Sequence, residues 1–405
     1  MWITLRRLLH RLLFWPISPA VVRMVFRTDQ RPSVALQDAT FVLVVALDRI
    51  GDTLLLAPFL RELRNNCPKA QIVCVCRPSA APLVSACPHI DEIQVQPEAT
   101  TRYNNPYARF GNARRLGLNL REQYNFDWAF SPRWHVDEHY AAALAFFAGA
   151  TCRVGYSANA NSMRKTWNPN IDKLLTHPCE GCEGIIHEYR RSLDLLEEAG
   201  GHVTSRHVEM WIESTDRQSA AEFIERSGLS DQPYGVVAPG AGEQKRAWPV
   251  DHFVHVCSHL ADTCGAQWVI VGNGDDGLRA SMMNKLADGN FVDATGCLTI
   301  RETAAVIEHA KVFLGNDSGP MHMAAALQVP CVIISCHPSD GDPNGHNSPV
   351  RFGPVGDKHT VLCPSSAQWP CSRECRATSP HCICNVNEQD VTEAVLTKWL
   401  GEDNE

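Results

Sequence analysis

At 405 residues the chain is longer than one ordinary hydrophobic core supports, so two domains are expected. An apolar share of 44% with 20% charged residues is typical of a soluble globular protein. The net charge of −8 disfavours nucleic acid as the main partner, because a phosphate backbone attracts basic surfaces.

The first thirty residues are basic and apolar together. Residues 1–30 contain five arginines against a single acid, Asp29, and these arginines are interleaved with leucine, tryptophan and phenylalanine. The apolar run is shorter than the ~20 residues that span a bilayer. We therefore expect 1–35 to be a separate segment, a basic amphipathic helix on an anionic membrane surface. A helix packed on the protein itself, or a disordered leader, is the alternative.

The chain has seventeen cysteines, and several lie in strand-like apolar runs. There a free cysteine behaves as a small hydrophobic residue. No cleavable signal sequence is recognisable at the N-terminus. We therefore expect a reducing compartment, the cytoplasm.

From residue 41 onward, strand patterns alternate with helical patterns, which predicts parallel sheets covered on both faces. Residues 157–184 are rich in Asn, Pro and Gly and are expected to form a long loop. In this half, strands are predicted at 41–47, 71–76, 93–95 and 127–130, and helices at 54–65, 82–86, 139–148 and 186–199.

The second half repeats the scheme. A connection near 212–232 divides an N-terminal domain, 36–212, from a C-terminal domain, 213–405. Two doubly wound halves facing across a cleft would bind ligands at the carboxyl ends of their strands. Strands are predicted at 234–238, 267–271, 312–314 and 331–335, and helices at 250–263, 300–310 and 320–327.

The stretch 315–322, Gly-Asn-Asp-Ser-Gly-Pro-Met-His, joins a predicted strand to a predicted helix. Such a junction directs unpaired backbone N–H groups and the positive end of a helix dipole at one point. A phosphate or a carboxylate is the expected ligand. The alternative is an ordinary turn capped by Asp317 or Ser318.

Charged residues follow three other predicted strands. Gly51 and Asp52 come after the first strand, where Asp52 is either a catalytic base or a helix cap. Pro58 complicates the second reading, because proline would disrupt a helix starting at 53. A second group, Lys245 and Arg246, precedes a helix. These cations would form an anion site together with the loop at 315–322, or their side chains are simply solvated. The third, Asp275 and Asp276, would accept hydrogen bonds from ribose hydroxyls or would cap a turn.

The C-terminal tail is rich in cysteine and could hold zinc. Its spacings differ from the usual paired C-x2–4-C pattern, so packed thiols or an accessory disulfide are expected instead. The residues concerned are Cys371, Cys375, His381, Cys382 and Cys384.

Four stretches, in this order, resemble glycosyltransferase family 9, the bacterial heptosyltransferases of lipopolysaccharide core assembly. They are 44–58 with its Ile-Gly-Asp loop, Arg-Val-Gly-Tyr at 153–156, Lys-Arg-Ala-Trp-Pro at 245–249, and 315–327. The resemblance implies an α/β GT-B fold with two Rossmann-like domains, the first for the acceptor and the second for the donor. It also implies an ADP-activated heptose donor, inversion at the sugar, and neither a cofactor nor a metal for catalysis.

Roles for individual residues follow from the same resemblance. Asp52 is the expected base for the acceptor hydroxyl. The donor diphosphate is assigned to Gly51, Asp317, Ser318, Gly319 and His322, with either Lys245 or Arg246 as the cation. Asp275 or Asp276 would bind the ribose. Arg133 and Asp137, in an unusual stretch at 131–137, are candidates for the acceptor.

The resulting hypothesis is an inverting glycosyltransferase on the cytoplasmic face of the inner membrane, with an ADP-heptose-like donor and a lipid-linked glycan acceptor. A nucleotide-sugar epimerase or hydrolase of the same architecture is a second candidate, and it would break down the donor without an acceptor. A non-catalytic nucleotide-sugar-binding protein is a third. The presence of Asp52 beside the phosphate motif disfavours it, because a binder needs no base.

Overall fold

The computed structural model describes residues 33–97, 106–181 and 184–401. The basic amphipathic segment expected at 1–30 lies outside these residues. The chain divides into two compact units, the first made of residues up to 184 with 188–207, and the second of 185–187 with the residues from 208 on. Within the described ranges, every helix is too short or too polar to span a bilayer.

The first unit is built on a sheet of six parallel strands. Its central strand is continuously apolar, Phe-Val-Leu-Val-Val-Ala, and is buried from Val42 to Ala46. That pattern is expected where helices cover both faces of a parallel sheet. The strands are β1 Phe41–Ala46, β2 Gln71–Cys76, β3 Glu92–Val95, β4 Trp128–Ser131, β5 Cys152–Tyr156 and β6 His177–Cys179. They lie in the order β3-β2-β1-β4-β5-β6.

Seven α-helices and three short 3-10 turns accompany this sheet in the described residues. The 3-10 turns are Leu36–Asp38, Ala158–Ala160 and Ile171–Lys173. The helices are α1 Ile50–Leu54, α2 Ala57–Asn66, α3 Ala81–Val84, α4 Pro106–Gln123, α5 Ala141–Phe147, α6 Ser162–Trp167 and α7 Glu188–Glu198.

The second unit repeats the plan with six more parallel strands. They are β7 Tyr234–Ala238, β8 Gln267–Ile270, β9 Phe291–Asp293, β10 Val312–Asn316, β11 Cys331–Ile334 and β12 His359–Leu362. Their order is β12-β11-β10-β7-β8-β9, which is the order of the first sheet again.

The helices of the second unit cover a core that includes Trp248, Trp268 and Trp399. Three 3-10 turns, Gln244–Arg246, Gly274–Asp276 and Cys382–Asn385, lie between them. The helices are α8 Ser214–Arg226, α9 Val250–Cys264, α10 Gly277–Leu286, α11 Ile300–Glu308, α12 Gly319–Ala326, α13 Pro349–Phe352 and α14 Glu388–Leu400.

The α/β class with two Rossmann-like units is confirmed. In sheets of this order, the chain first adds strands on one side of the first strand and then on its other side. Ligands bind at the carboxyl edge of the sheet, at the point where the strand order reverses. In the first unit this edge lies where β1 and β4 end. In the second unit it lies where β7 and β10 end.

One predicted helix is divided in two. The sequence predicts a single helix over 54–65, whereas the chain forms α1, pauses at Leu55 and Leu56, and starts again as α2. Pro58 is the second residue of α2, where its missing N–H has no intrahelical partner to lose. The proline therefore begins a helix instead of disrupting one.

The long loop predicted at 157–184 is wrong in part, because it contains α6 and β6. Helix α6 begins at a side-chain cap, in which Asn161 accepts a hydrogen bond from the backbone N–H of Arg164. Strand β6 pairs only with β5 and contains Pro178, which is tolerated at the edge of a sheet. Short capped helices and proline-containing edge strands have little apolar periodicity, so the pattern missed both.

The sequence reading also missed longer elements. Helix α4 contains Gly111 and Gly117, which lower its helix propensity. Gly117 packs where a Cβ would meet Leu144 O and Phe147 at 2.7 Å, so it permits a close approach of α4 to α5. The expected connection at 212–232 contains α8, which begins with a capping box between Glu213 and Asp216. Helices α10 and α14 and strands β9 and β12 were likewise not predicted.

Candidate functional site

The carboxyl edge of the second sheet carries the glycine-rich motif. Strand β10 ends at Asn316, and α12 begins at Gly319, so only Asp317 and Ser318 connect them. Ser318 occupies the N-cap position, but its side chain makes no capping hydrogen bond within the described chain. Its hydroxyl instead donates to the Asn316 carbonyl at 3.2 Å. The start of α12 therefore has positive dipole and no side-chain oxygen from its own cap.

Asn316 fixes three segments at this edge, although the sequence reading gave it no role. It is completely buried. Its Nδ2 donates to the carbonyls of Pro239 and Gly240 at 2.9 and 3.2 Å, and its Oδ1 accepts from the Trp248 N–H at 3.0 Å. The loop after β7, the start of α9 and the end of β10 are thus held together by one amide.

Arg246 and Asp317 form the central ion pair of the site. Their Nη2 and Oδ2 atoms are 2.7 Å apart, and the same guanidinium donates to the Asp317 carbonyl. Both side chains are largely buried, so the pair is protected from screening by solvent. Arg246 Nε is also buried and has no hydrogen-bond partner among the described residues. The guanidinium therefore neutralises Asp317 and still has a donor to offer.

Burial changes the protonation of this group of residues. It raises the pKa of Asp317, and the attraction of Arg246 opposes that rise only in part. Burial, aided by the charge of Arg246, lowers the pKa of His322 to about 4. At neutral pH His322 is therefore an uncharged imidazole, and Arg246 supplies the positive charge.

Lys245 lies beside Arg246 and is about as buried, but its partner is more exposed. Its Nζ is 3.3 Å from a carboxylate oxygen of Glu243, and the Glu243 side chain is about half exposed. An ion pair with a half-exposed acid is screened by solvent and is weak. Four predicted donor-site residues thus lie at the β10–α12 junction: Asp317, Ser318, Gly319 and His322. A fifth, Arg246, reaches the junction from the turn Gln244–Arg246 through its ion pair with Asp317, and Lys245 precedes it in the chain.

Asp275 and Asp276 follow β8 at the same edge but are used differently. Asp275 is exposed, and its N–H donates to Asn273. Asp276 accepts from the Asn273 N–H at 3.2 Å and pairs with Arg279 at 3.2 Å. A Cβ on Gly240 would collide with the Asp276 carboxylate, so this side chain lies against the end of β7. A ribose-binding role for either acid stays a prediction.

Gly51 and Asp52 lie in α1, directly after the central strand of the first unit. The N-cap position is Arg49, so Asp52 is the third residue of the helix and does not occupy the cap. Its side chain is partly buried, and the adjacent Gly51 is buried. A carboxylate in the first turn is stabilised by the helix dipole.

Arg133 follows β4 and forms an ion pair with Asp48 at the end of β1. Its Nε also donates to the Val136 carbonyl at 2.8 Å. Asp137 has a structural use, because its two carboxylate oxygens accept from the N–H groups of Ala141 and Ala142 at the start of α5. Roles of Arg133 and Asp137 in acceptor binding stay predictions.

The same edge of the first unit is more basic than the sequence suggested. Burial, aided by nearby guanidinium groups, lowers the pKa of His139 to about 3. The guanidinium groups belong to Arg109, Arg77 and Arg133. Arg77 directly follows β2, so its place in the sequence was the available signal, and the sequence reading overlooked it. Asp48, which Arg133 requires as a partner, was overlooked in the same way.

Two Rossmann-like units, one with an anion-binding type of strand–loop–helix junction, define a class of α/β proteins that bind nucleotides or nucleotide sugars. The sequence profile of glycosyltransferase family 9 (heptosyltransferase) matches residues 114–381, which is more than half of the chain. The chain belongs to this family and is a glycosyltransferase.

Individual relatives agree with this assignment. The chain is 25% identical over 341 residues to lipopolysaccharide heptosyltransferase 2 of Escherichia coli K12, covering 79% of this chain and 87% of the relative. The crystal structure of a family 9 glycosyltransferase from Veillonella parvula superposes with a TM-score of 0.73 at 21% identity, covering 92% of this chain and all of the other. The E. coli heptosyltransferase WaaC with ADP gives a TM-score of 0.61 at 17% identity, covering 89% and 100%. At these identities the structural likeness concerns the fold.

Proposed function

We propose that this glycosyltransferase moves a heptose, or a related sugar, from an ADP-activated donor to a hydroxyl of a lipopolysaccharide-core or other surface glycan. The observation that carries the proposal is the junction of β10 and α12, where a helix start without a side-chain cap lies beside the buried Arg246–Asp317 pair. Further support comes from the heptosyltransferase relative and from the bound ADP of the similar WaaC structure.

On the donor side, the second unit would stabilise the leaving group. As the bond between sugar C1 and the phosphate oxygen breaks, negative charge builds up on the departing ADP. Hydrogen-bond donors that the fold already holds in position stabilise such charge well, because they need not reorganise during the reaction. The backbone N–H of Gly319, the free Nε–H of Arg246 and the ammonium of Lys245 are suited to this. A neutral His322 would serve as a hydrogen-bond donor.

We propose further that these groups replace a metal ion at the diphosphate. The carboxylate nearest the helix start, Asp317, is already neutralised by Arg246 at 2.7 Å. It is therefore poorly suited as a metal ligand, because binding a cation would require that ion pair to break. A transfer rate that depends on added Mg²⁺ would contradict this part of the proposal.

On the acceptor side, we assign the base to Asp52. Its carboxylate would take the proton of the acceptor hydroxyl while the new bond to C1 forms on the face opposite to the departing phosphate, which inverts the configuration. This requires the acceptor to lie at the carboxyl edge of the first sheet. The guanidinium groups of Arg133 and Arg77 near that edge suit an acceptor that carries carboxylate or phosphate groups.

Asp52→Asn tests the mechanism, because it keeps the size of the side chain and removes the base. We expect the transfer rate to fall by roughly 10²–10⁴-fold. The dissociation constant for ADP, measured by calorimetry, should stay within a few-fold of wild type. Asp38→Asn is the matched control, since Asp38 is an exposed acid of the same unit, and its transfer rate should be unchanged.

Three results would contradict the proposal. Full turnover of Asp52→Asn would remove this residue from the mechanism. Breakdown of ADP-heptose by the wild-type protein at the same rate with and without acceptor would instead indicate a hydrolase or an epimerase. Failure of the wild-type protein to turn over donor at all, with intact ADP binding, would indicate a binding protein.

We also propose that the enzyme works peripherally on the cytoplasmic face of the inner membrane, held by the basic apolar segment at 1–30. Five arginines there would be attracted to anionic lipid headgroups. In vesicle flotation, the full chain should float with vesicles containing anionic lipid and not with neutral vesicles. A chain without residues 1–30 should remain in solution, and unchanged flotation of that chain would contradict the proposal.

A further inference from the structure

Four metal-ligand side chains come together in the connection between β12 and α14. They are Cys371, Cys375, His381 and Cys382, and their Sγ and imidazole nitrogen atoms all lie within 4.8 Å of one another. The sequence reading grouped the cysteines differently. Cys384, which it included, is exposed and is not part of this cluster.

Three of the distances within the cluster are close to those between ligands arranged tetrahedrally around one ion. With metal–sulfur bonds of ~2.3 Å and metal–nitrogen bonds of ~2.0–2.1 Å, tetrahedral ligands are about 3.8 Å apart for two sulfurs and about 3.6 Å apart for sulfur and nitrogen. In the structure, Cys371 Sγ is 3.9 Å from Cys375 Sγ and 3.7 Å from His381 Nδ1. His381 Nδ1 is 3.3 Å from Cys382 Sγ.

The cluster is anchored on the hydrophobic core, and one of its sulfurs accepts a backbone hydrogen bond. Cys375 and Cys382 are buried in the hydrophobic core of the second unit, and Cys371 packs against it. The backbone N–H of Arg376 donates to Cys371 Sγ at 3.2 Å. Such N–H donors to sulfur are the outer contacts that orient and stabilise a metal thiolate. A disulfide between two of the thiols would leave the third thiol and the imidazole unexplained.

The chain around the cluster has little other support. Residues 363–381, all described by the structure, contain neither helix nor strand. A structureless connection of that length is uncommon inside a compact domain. Three of the four ligands come from this segment and the fourth, Cys382, follows it directly, so metal binding would close the segment on itself and provide order that the local sequence does not.

The same segment braces the loop that follows β11, next to the candidate donor site. The N–H of Ser339 donates to the Pro364 carbonyl at 2.8 Å, and the N–H of Asp342 donates to the Arg373 carbonyl at 3.0 Å. Strand β11 is the immediate neighbour of β10, which carries the glycine-rich motif. The cysteine-rich connection therefore holds the loop after β11 by two backbone hydrogen bonds, beside the strand that carries the motif.

We propose that Cys371, Cys375, His381 and Cys382 bind one Zn²⁺ in a closed, tetrahedral, structural site. Three thiolates and one neutral imidazole form a ligand set that zinc prefers, and four protein ligands leave no position for a substrate. Binding would release up to three protons, one from each thiol, and would leave the centre with one net negative charge. The site is separate from the donor chemistry and needs no oxidant.

The test begins with the metal content of the full-length protein, purified anaerobically without chelator and measured by multi-element mass spectrometry. We expect about one zinc per chain in the wild type and in Cys384→Ser, whose thiol is exposed in the same segment. Cys382→Ser and the milder His381→Asn should lose most of it. Anaerobic replacement with Co²⁺ should give the wild type and Cys384→Ser, but not Cys382→Ser, the absorption bands of a tetrahedral thiolate complex.

A second measurement does not depend on the folding of any variant. A strong chelator should lower the melting temperature of the wild type and of Cys384→Ser, because a ligand that binds only the folded state stabilises it. No zinc in the wild type, zinc equally retained by Cys382→Ser, or stoichiometric iron in its place would overturn the assignment. A Cys371–Cys375 disulfide in the anaerobically purified protein would overturn it as well.

Discussion

At the scale of single residues, Arg246 has two functions that can be separated from those of its neighbour. It holds the buried Asp317 through its carboxylate and its carbonyl, and it keeps a buried Nε–H without a partner in the described chain. In the part of the chain that the structure describes, the Lys245 ammonium pairs only with the half-exposed Glu243. The two cations should therefore respond differently to substitution.

Arg246→Lys keeps the positive charge but replaces the planar guanidinium, with its several N–H donors, by a single ammonium group. We expect the free energy of unfolding to fall by about 1–3 kcal/mol, because a buried carboxylate and carbonyl lose hydrogen bonds. The dissociation constant for ADP should rise by roughly ten-fold or more. Lys245→Met is the comparison: it should weaken ADP binding without reducing stability, since an exposed ion pair contributes little.

Urea unfolding and calorimetric titration with ADP distinguish the two variants. An Arg246→Lys protein with wild-type stability and wild-type ADP affinity would contradict both functions of this residue. Equal loss of stability in Lys245→Met would show that the turn at Gln244–Arg246 depends on the pair of cations as a unit.

Asp137 illustrates the limit of reading residues singly. Its place in the unusual stretch at 131–137 suggested acceptor binding, but its carboxylate accepts two backbone hydrogen bonds at the start of α5. For Asp52 the sequence left a helix cap and a catalytic base open, and the cap position proves to be Arg49. The sequence shows that an acid follows a strand. Which group that acid contacts depends on where the next helix begins, and the sequence does not show this.

At the scale of elements, the sequence was most informative where apolar runs are continuous. Strands β2 and β7 match their predicted bounds of 71–76 and 234–238 because buried parallel strands consist of uninterrupted apolar residues. Short edge strands such as β6 and β9 have one neighbour and fewer buried positions, so their pattern is weak. Helix α4 buries only Ala113, Gly117 and Leu120 of its residues.

The candidate donor site could be predicted in part for a related reason. The motif at 315–322 combines glycine, an acid and a helix-starting proline, and each of these constrains the local backbone. The role of Asn316 could not be assigned from sequence, because its partners lie far away in the chain. Asn316 bonds to residues 68 to 77 positions earlier. The cluster of Cys371, Cys375, His381 and Cys382 depends in the same way on the path of an irregular connection.

At the scale of the whole molecule, both units bury histidines in neutral form. Burial is the main cause in each case, and it lowers the pKa of His139 in the first unit to about 3. In the second unit it lowers the pKa of His187 and of His322 to about 4. The unfolded chain binds these protons near pH 6.5. Folding therefore excludes protons that the unfolded state accepts, which links stability to pH in both units.

The direction of this linkage follows from the depressed pKa values. Above pH 6.5 the histidines are neutral in both states and have no effect. As the pH falls from 6.5 towards 4, only the unfolded chain gains protons, so stability is lost, and for His322 the loss at pH 5 is about 2 kcal/mol. Below about pH 4 the folded state is protonated at His187 and His322 too, and their contribution becomes constant, whereas that of His139 becomes constant only below about pH 3.

His322→Gln should therefore flatten the pH dependence of stability whatever its effect at pH 7. We expect the difference in unfolding free energy between wild type and variant to change by about 2 kcal/mol between pH 7 and pH 5, in favour of the variant. Urea unfolding at several pH values measures this difference and removes the contribution of the carboxylates, which both proteins share. If the His322→Gln difference does not vary with pH, the imidazole takes up its proton equally in the folded and the unfolded state, and burial does not lower its pKa.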